Sequence, residues 1–282
     1  MSGGRGLLVT GATGRLGEAT VRALLERGDR LLLTGRDQAR LGELAAVFGD
    51  SGVSTLNVDV SGPEGAQHAA AEAARTLGGL DGLVHLVGAF DVGPVMLTDV
   101  AAYEELLRAN FLSAVAATQA VLPHLREGGR LVYFGTPLAD EPLGGMSAYA
   151  ASKAALVTWV RSMSHEVKNR GIHANAISLT LVETPEMRKE MPNVDPGLTV
   201  DAELVARAVR FLTGPDSDGM YGSVVPVVGR FGFTSALAGG PPAGGPPSGG
   251  PPSGGPPSGG PPSGGPPPGV RPGGGPGGGP GR

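Results

Sequence analysis

From residue 6 to residue 229, short apolar runs alternate with longer amphipathic stretches. RGLLVT is a short apolar run that passes through GATGRLG into EATVRALLERG, whose apolar residues recur at helical spacing. The order strand, glycine turn, helix is thereby set. RLLLTGR then precedes DQARLGELAAVF, and VSTLNVDV precedes PEGAQHAAAEAARTLGG, a helix opened by Pro63. GLVHLVGAF reads as a fourth strand with its exit loop, and AAYEELLRANFLSAVAATQAVLPHLREGG as one or two helices closed by Gly128 and Gly129. RLVYFGT is a fifth strand, SAYAASKAALVTWVRSMSHEVKNRG a long helix and IHANAISL a sixth strand, and AELVARAVRFLTG and SVVPVVG complete the pattern. Strands separated by helices in this rhythm predict an α/β fold: a doubly wound parallel sheet of about seven strands, covered on both faces. Ligands then meet the carboxyl ends of the strands.

Composition changes this picture at one end. Many of the 50 glycines and 26 prolines fall in a run of GGPPS repeats. We read residues 1–234 as a single domain and residues 235–282 as a Gly/Pro/Ser-rich low-complexity tail. Its five-residue period excludes collagen, which needs glycine at every third position. It lacks the PxxP spacing of an SH3 ligand, and with almost no apolar side chains it is expected to be disordered.

The formal charge of -4, with scattered basic residues, argues against a nucleic-acid surface. Without cysteine there is no disulfide or thiolate chemistry, and His68, His85, His124, His165 and His173 lack metal-ligand spacing, so no metal is expected. MSGGRGLLVTGATG has no apolar run of signal-peptide length, and no stretch approaches the ~18 apolar residues of a spanning helix. A cytoplasmic protein without membrane contact is expected.

Gly11, Gly14 and Gly17 follow the first strand and open a helix. Such a turn brings backbone N–H groups and the positive helix end close to a pyrophosphate. Position makes this a dinucleotide site rather than a bare strand–helix turn. NAD-preferring proteins place an acid at the end of the second strand to accept the ribose 2′-OH. Here Gly35 stands there, followed by Arg36, and Arg15 adds a second positive group; both suit a 2′-phosphate. NADP is therefore expected over NAD, which stays possible. On the opposing reading both arginines are solvated and Asp37 caps the next helix. Asp59, in NVDV, either accepts from an adenine amino group or is an ordinary loop acid.

The chain's lysines are Lys153, Lys168 and Lys189, and Lys153 lies four positions after Tyr149 in SAYAASKAAL. On a helix those two share a face. An ordinary phenol, with a pKa near ~10, holds its proton too tightly at neutral pH, and a nearby ammonium would bring it down toward the working range.

Taken in order, TGATGRLG, DV at 59–60, LVHLVG, RANF, the exit of strand five, YAASK and AISLTLVET resemble the short-chain dehydrogenases/reductases, a Rossmann-fold family that uses NAD or NADP. The resemblance spans Gly6 to Gly229. It implies that Tyr149 protonates a carbonyl oxygen in reduction and acts as base in the reverse direction. Lys153 would tune Tyr149 and hold the nicotinamide ribose. Thr136 would stand where the family has its catalytic serine, keeping the hydroxyl but narrowing the pocket, and Asn110 would support a proton relay behind the lysine. Cofactor contacts are implied for Gly11, Thr13, Gly14, Arg15, Leu16 and Gly17 in the turn. Arg36 and the pair Asp59 and Val60 would follow strands two and three, Gly88 strand four, and Val182 and Thr184 strand six.

There are departures. The turn spacing is TGxxGxxG, HLVG at His85–Gly88 replaces NNAG, and Leu179-Thr180 replaces Pro-Gly in the loop over the nicotinamide. His85 is read as a structural histidine. Residues 183–199 correspond to the family's mobile lid, where Met187 and Met191 either face an apolar substrate or serve as adaptable packing. Helical segments 103–126 and 147–170 correspond to subunit interfaces, implying a homodimer or homotetramer, and Trp159 is read as core or interface.

The leading reading is an NADP-preferring oxidoreductase moving a hydride between nicotinamide and a small-molecule carbonyl or secondary alcohol. A catalytically impaired NAD(P)-binding sensor or scaffold stays open because of the departures. A nucleotide-sugar epimerase or dehydratase is suggested by the glycine spacing but opposed by the short segment after strand six.

Overall fold

In the computed structural model, residues 4–49 and 52–230 are described, and the side chain of Glu186 is not. The expectations for residues 235–282 lie outside the described residues. The first half runs β1 (Gly6–Thr10), α1 (Gly17–Leu25), β2 (Arg30–Gly35), α2 (Gln38–Phe48), β3 (Val53–Asn57), α3 (Pro63–Thr76) and β4 (Leu80–His85). Then come α4 (Val100–Leu107), a π-helical turn (Arg108–Leu112), α5 (Ser113–Val121), β5 (Leu125–Gly135), α6 (Ser147–Val167) and β6 (His173–Leu179). The last part holds β7 (Val182–Glu183), α7 (Pro185–Glu190), β8 (Val200–Asp201), α8 (Ala202–Leu212) and β9 (Val224–Val227).

The main sheet has seven strands in the order β3-β2-β1-β4-β5-β6-β9, and every neighbouring pair is parallel. The period-2 alternation of strand side chains divides the core. Leu8, Leu32, Leu83, Leu131 and Tyr133 face one layer, with alanines of α3 and α5 and Leu156 and Val160 of α6. Leu7, Val9, Leu31, Leu33, Val84 and Val132 face the other, against Val21 and Leu24 of α1, Leu41 of α2 and Val205 and Val209 of α8. With both faces covered, the central strands must be apolar at every position. That explains the continuous runs LLVT and LLLT. Trp159 packs on the first layer, 5.7 Å from the Tyr133 ring and 6.1 Å from Phe111, as a core residue.

Two sequence expectations need correction. The helical stretch does not run to Gly128 and Gly129. It ends at Val121, because Pro123 has no N–H to continue the ladder. Leu125 then pairs with Leu80 as the start of β5, across a register shift before Gly82 meets Arg130. The strand read from VSTLNVDV is shorter than expected: β3 ends at Asn57, and Asp59 lies beyond it. In and beside the segment expected to form a lid, β7 and β8 pair as a separate two-stranded sheet on either side of α7. Among the described residues no helix is long and apolar enough to cross a membrane.

Candidate functional site

The chain moves from β1 to β2 on one side of the sheet, while β4, reached later, lies on the other. That reversal opens a crevice at the strand ends. A cleft of about 550 Å³ lies there.

The glycine turn contributes Gly14, Arg15 and Leu16 to its wall. Gly11 sits at φ +71°, and a Cβ there would come within 2.9 Å of the Val87 nitrogen. Gly17 opens α1 so close to the preceding turn that a Cβ would stand 1.6 Å from the Ala12 carbonyl oxygen. Gly14 N–H donates to Gly11 O and Gly17 N–H to Gly14 O, both at 3.0 Å. The turn thus has the close backbone approach and the helix start that a dinucleotide phosphate requires. At the end of β2, a Cβ on Gly35 would meet the Thr13 side chain at 2.9 Å, so glycine lets Thr13 pack there.

Arg36 is exposed and, among the described residues, has no hydrogen-bond or ion-pair partner; its charge reaches Asp59. The Asp59 carboxylate accepts the Ser61 N–H at 2.9 Å; that bond first, then the Ser61 side chain and, more weakly, the Arg36 charge lower its pKa. Asp37 caps α2 through the Arg40 N–H. Arg15 is paired with Glu190 at 2.6 Å, joining the glycine turn to the end of α7. Arg36, Asp59 and the buried Val60 follow β2 and β3 and do not line the cleft.

Helix α6 carries Tyr149 and Lys153 into the cleft, Thr136 enters from the end of β5, and Gly88 from the exit of β4. Lys153 is buried and donates to the Phe134 carbonyl at 2.8 Å; burial pushes its pKa down to about 8. Tyr149 does not follow the expectation of a lowered phenol. Burial pushes it up to about 12, and the Thr136 hydroxyl pulls it only partly back. The Lys153 ammonium donates to the Phe134 carbonyl. A Cβ on Gly88 would lie 2.8 Å from Asn110 Oδ1 and 3.4 Å from Lys153 Nζ, so glycine keeps the ammonium accessible.

Asn110 is wholly buried in the π-helical turn, a rare geometry frequent at functional sites. Its Oδ1 accepts the Ala89 N–H, and its Nδ2 donates to Ala89 O and to Ser152 Oγ, each at 2.9 Å. Ser152 Oγ in turn donates to Tyr149 O at 2.7 Å. Asn110 therefore ties the β4 exit to the first turns of α6. His85 is also internal. Ser113 Oγ donates to Ala109 O, so it accepts from His85 Nε2–H at 3.0 Å, and Nδ1 accepts from Thr10 at 2.8 Å. Burial, then the Lys153 charge, hold the ring neutral with a pKa near 3.

Beyond β6, Val182 lines the cleft, whereas the Thr184 hydroxyl caps α7 by accepting the Met187 N–H at 3.1 Å. The Leu179-Thr180 loop is anchored by Thr180, which donates to Val228 O at 2.7 Å. Met187 is buried and Met191 borders the cleft. Sequence motifs missed Phe90, Leu138, Met146 and Glu190, which also line it. No local signal marks them, because each reaches the cleft only through tertiary packing.

A switch-point cleft with a glycine turn on one side and a Thr-Tyr-Lys group on the other defines a nucleotide-dependent oxidoreductase. Residues 5–195 match the family described as short chain dehydrogenase, and the chain belongs to that family of dehydrogenases and reductases. It is 31% identical over 188 residues to dehydrogenase/reductase SDR family member 7B of Danio rerio, covering 63% of this chain but only 61% of that protein. It is 27% identical over 237 residues to the 3-oxoacyl-[acyl-carrier-protein] reductase FabG of Vibrio cholerae, covering 80% of this chain and 96% of that one. Among solved structures it resembles the NADPH-bound short chain oxidoreductase of Pseudomonas aeruginosa PAO1, described as containing an atypical catalytic center. That likeness has 29% identity and a TM-score of 0.74, covering 81% of this chain and 97% of the other.

Proposed function

We propose that this chain is an NADP-preferring reductase that interconverts a carbonyl and a secondary alcohol, with Tyr149 as acid and base. The observation that carries the reading is the convergence of Thr136, Tyr149 and Lys153 on the wall of the cleft that Gly14 and Gly88 also line. When bound, the nicotinamide supplies the hydride. The glycine turn holds the phosphates, and Arg36, which has no partner among the described residues, takes the 2′-phosphate, with Arg15 in support. Lys153 holds the ribose. Thr136 Oγ1 donates a hydrogen bond to the carbonyl oxygen, and Tyr149 Oη gives up its proton to that oxygen. In the free protein burial pushes this phenol up to about 12, so Tyr149 carries the proton at neutral pH, and efficient transfer needs a value closer to the working pH. Asn110 keeps Ala89 and α6 in register.

Residues 1–234 act as the catalytic domain and 235–282 as an appendage without catalytic role, in a cytoplasmic enzyme. Homodimers or homotetramers form through α4, α5 and α6, where Val100 and Leu112 stand exposed.

The test is fluorescence titration with NADPH and NADH, followed by cofactor oxidation against ketones, aldehydes and quinones, with Tyr149→Phe as control. Tight NADPH binding and turnover lost in Tyr149→Phe support the reading. Binding without turnover of any carbonyl favours a nucleotide sensor.

A further inference from the structure

We infer that the site takes a neutral, apolar ketone, and that Phe90 is the residue that selects it. This rests on the carbonyl reduction proposed above and names its substrate class. Around Tyr149 the cleft is built from hydrocarbon. Leu138 and Met146 are buried at 1% and 5% exposure and form a cluster against which Tyr149 packs. On another side the Phe90 ring meets Tyr149 edge to face, with centroids 4.9 Å apart and planes at 80°. Met191 completes this part of the lining.

Phe90 is 61% exposed, so much of its ring faces the open side of the cleft while its edge contact with Tyr149 is kept. The chain is anchored on its N-terminal side. The preceding residue, Ala89, is held at both N–H and C=O by Asn110. The ring is therefore presented at the proton donor by a fixed support, which is what a selective wall requires.

The charges of the cleft point the same way. Its charged lining residues are Arg15, Glu190 and Lys153. The first two neutralise each other at 2.6 Å, and the third is bonded to the Phe134 carbonyl at the foot of the site. Among the described residues, no guanidinium or ammonium is left beside Phe90, Leu138 and Met146 to receive a carboxylate, phosphate or sulfonate on the substrate. An anion placed there would be desolvated without a partner. An alicyclic or aryl ketone fits instead, with its oxygen at Thr136 and Tyr149 and its ring between Phe90 and the Leu138–Met146 cluster.

The experiment compares 1-tetralone with a tetralone carrying a carboxylate on its far ring. Under saturating NADPH the neutral ketone is expected to show kcat/KM about a hundredfold or more above the acid. Phe90→Ala lowers kcat/KM for 1-tetralone about tenfold, through KM, and so narrows the advantage of the neutral ketone over the acid. Equilibrium binding of both compounds to Tyr149→Phe with NADPH reads the selectivity without turnover. Selective binding of 1-tetralone there, with no turnover by the wild type, removes the catalytic assignment and supports the substrate class. Failure of 1-tetralone to bind, equal binding of the acid, or a Phe90→Ala variant that treats both compounds as the wild type does overturns the inference.

Discussion

Replacing Lys153 by methionine should make the free protein more stable at pH 7 while removing the charge that the proposed chemistry uses. Burial displaces the Lys153 pKa from 10.5 to about 8. At about 1.4 kcal/mol per pKa unit, holding the ammonium in place costs about 3 kcal/mol at pH 7. Methionine has similar reach and no charge. It leaves the Phe134 carbonyl without the 2.8 Å bond from Nζ, and losing that partner costs about 1 kcal/mol. A net gain of about 2 kcal/mol is expected. The sign with pH follows from the folded pKa lying below the unfolded one. Between pH 8 and 10.5 the unfolded chain binds more protons, so wild-type stability rises with pH across that window and the full penalty applies below it. The advantage of Lys153→Met should therefore shrink by about 2 kcal/mol between pH 7 and 9.5. Tyr133 and Tyr149, whose phenols are both raised, are present in both proteins and cancel in the difference. Urea unfolding followed by the fluorescence of Trp159, the sole tryptophan, measures both quantities. A variant no more stable than wild type at pH 7, with a gap that does not change to pH 9.5, would refute the desolvated ammonium.

Gly17→Ala would place a Cβ 1.6 Å from the Ala12 carbonyl oxygen and should cost about 3 kcal/mol or more, read as a fall in Tm. Arg15→Ala should weaken NADPH binding roughly tenfold and Glu190→Gln should tighten it, because the carboxylate competes with phosphate for the same guanidinium. Both should change stability by less than about 1 kcal/mol, since the pair is exposed at 44% and 59%; fluorescence titration and thermal melts separate the two effects. Arg36→Asp should weaken NADPH by about a hundredfold and leave NADH within a few-fold, and an equal effect on both would remove the basis for the cofactor preference.

What was legible in the sequence is what local physics determines. The glycine turn is visible because Gly11 and Gly17 answer to clashes with nearby backbone. Tyr149 and Lys153 are visible because four residues make one helical face, and the strands because a sheet covered on both sides needs unbroken apolar runs. The start of β5 was not visible, since LREGG becomes strand only where Leu125 meets Leu80. Nor was the Arg15–Glu190 pair, whose partners are 175 residues apart. The most instructive difference is at Tyr149. Spacing placed a cation near the phenol, and from that alone a lowered pKa follows. Folding buries both groups and gives the ammonium to the Phe134 carbonyl, so desolvation governs the phenol and raises it. A motif fixes which atoms can meet, whereas the surrounding hydrocarbon, here Phe90, Leu138 and Met146, sets the medium in which they ionise. If the inference about Phe90 holds, the same apolar wall that keeps the proton on Tyr149 would also disfavour a charged substrate, and acid strength and substrate choice would share one physical origin.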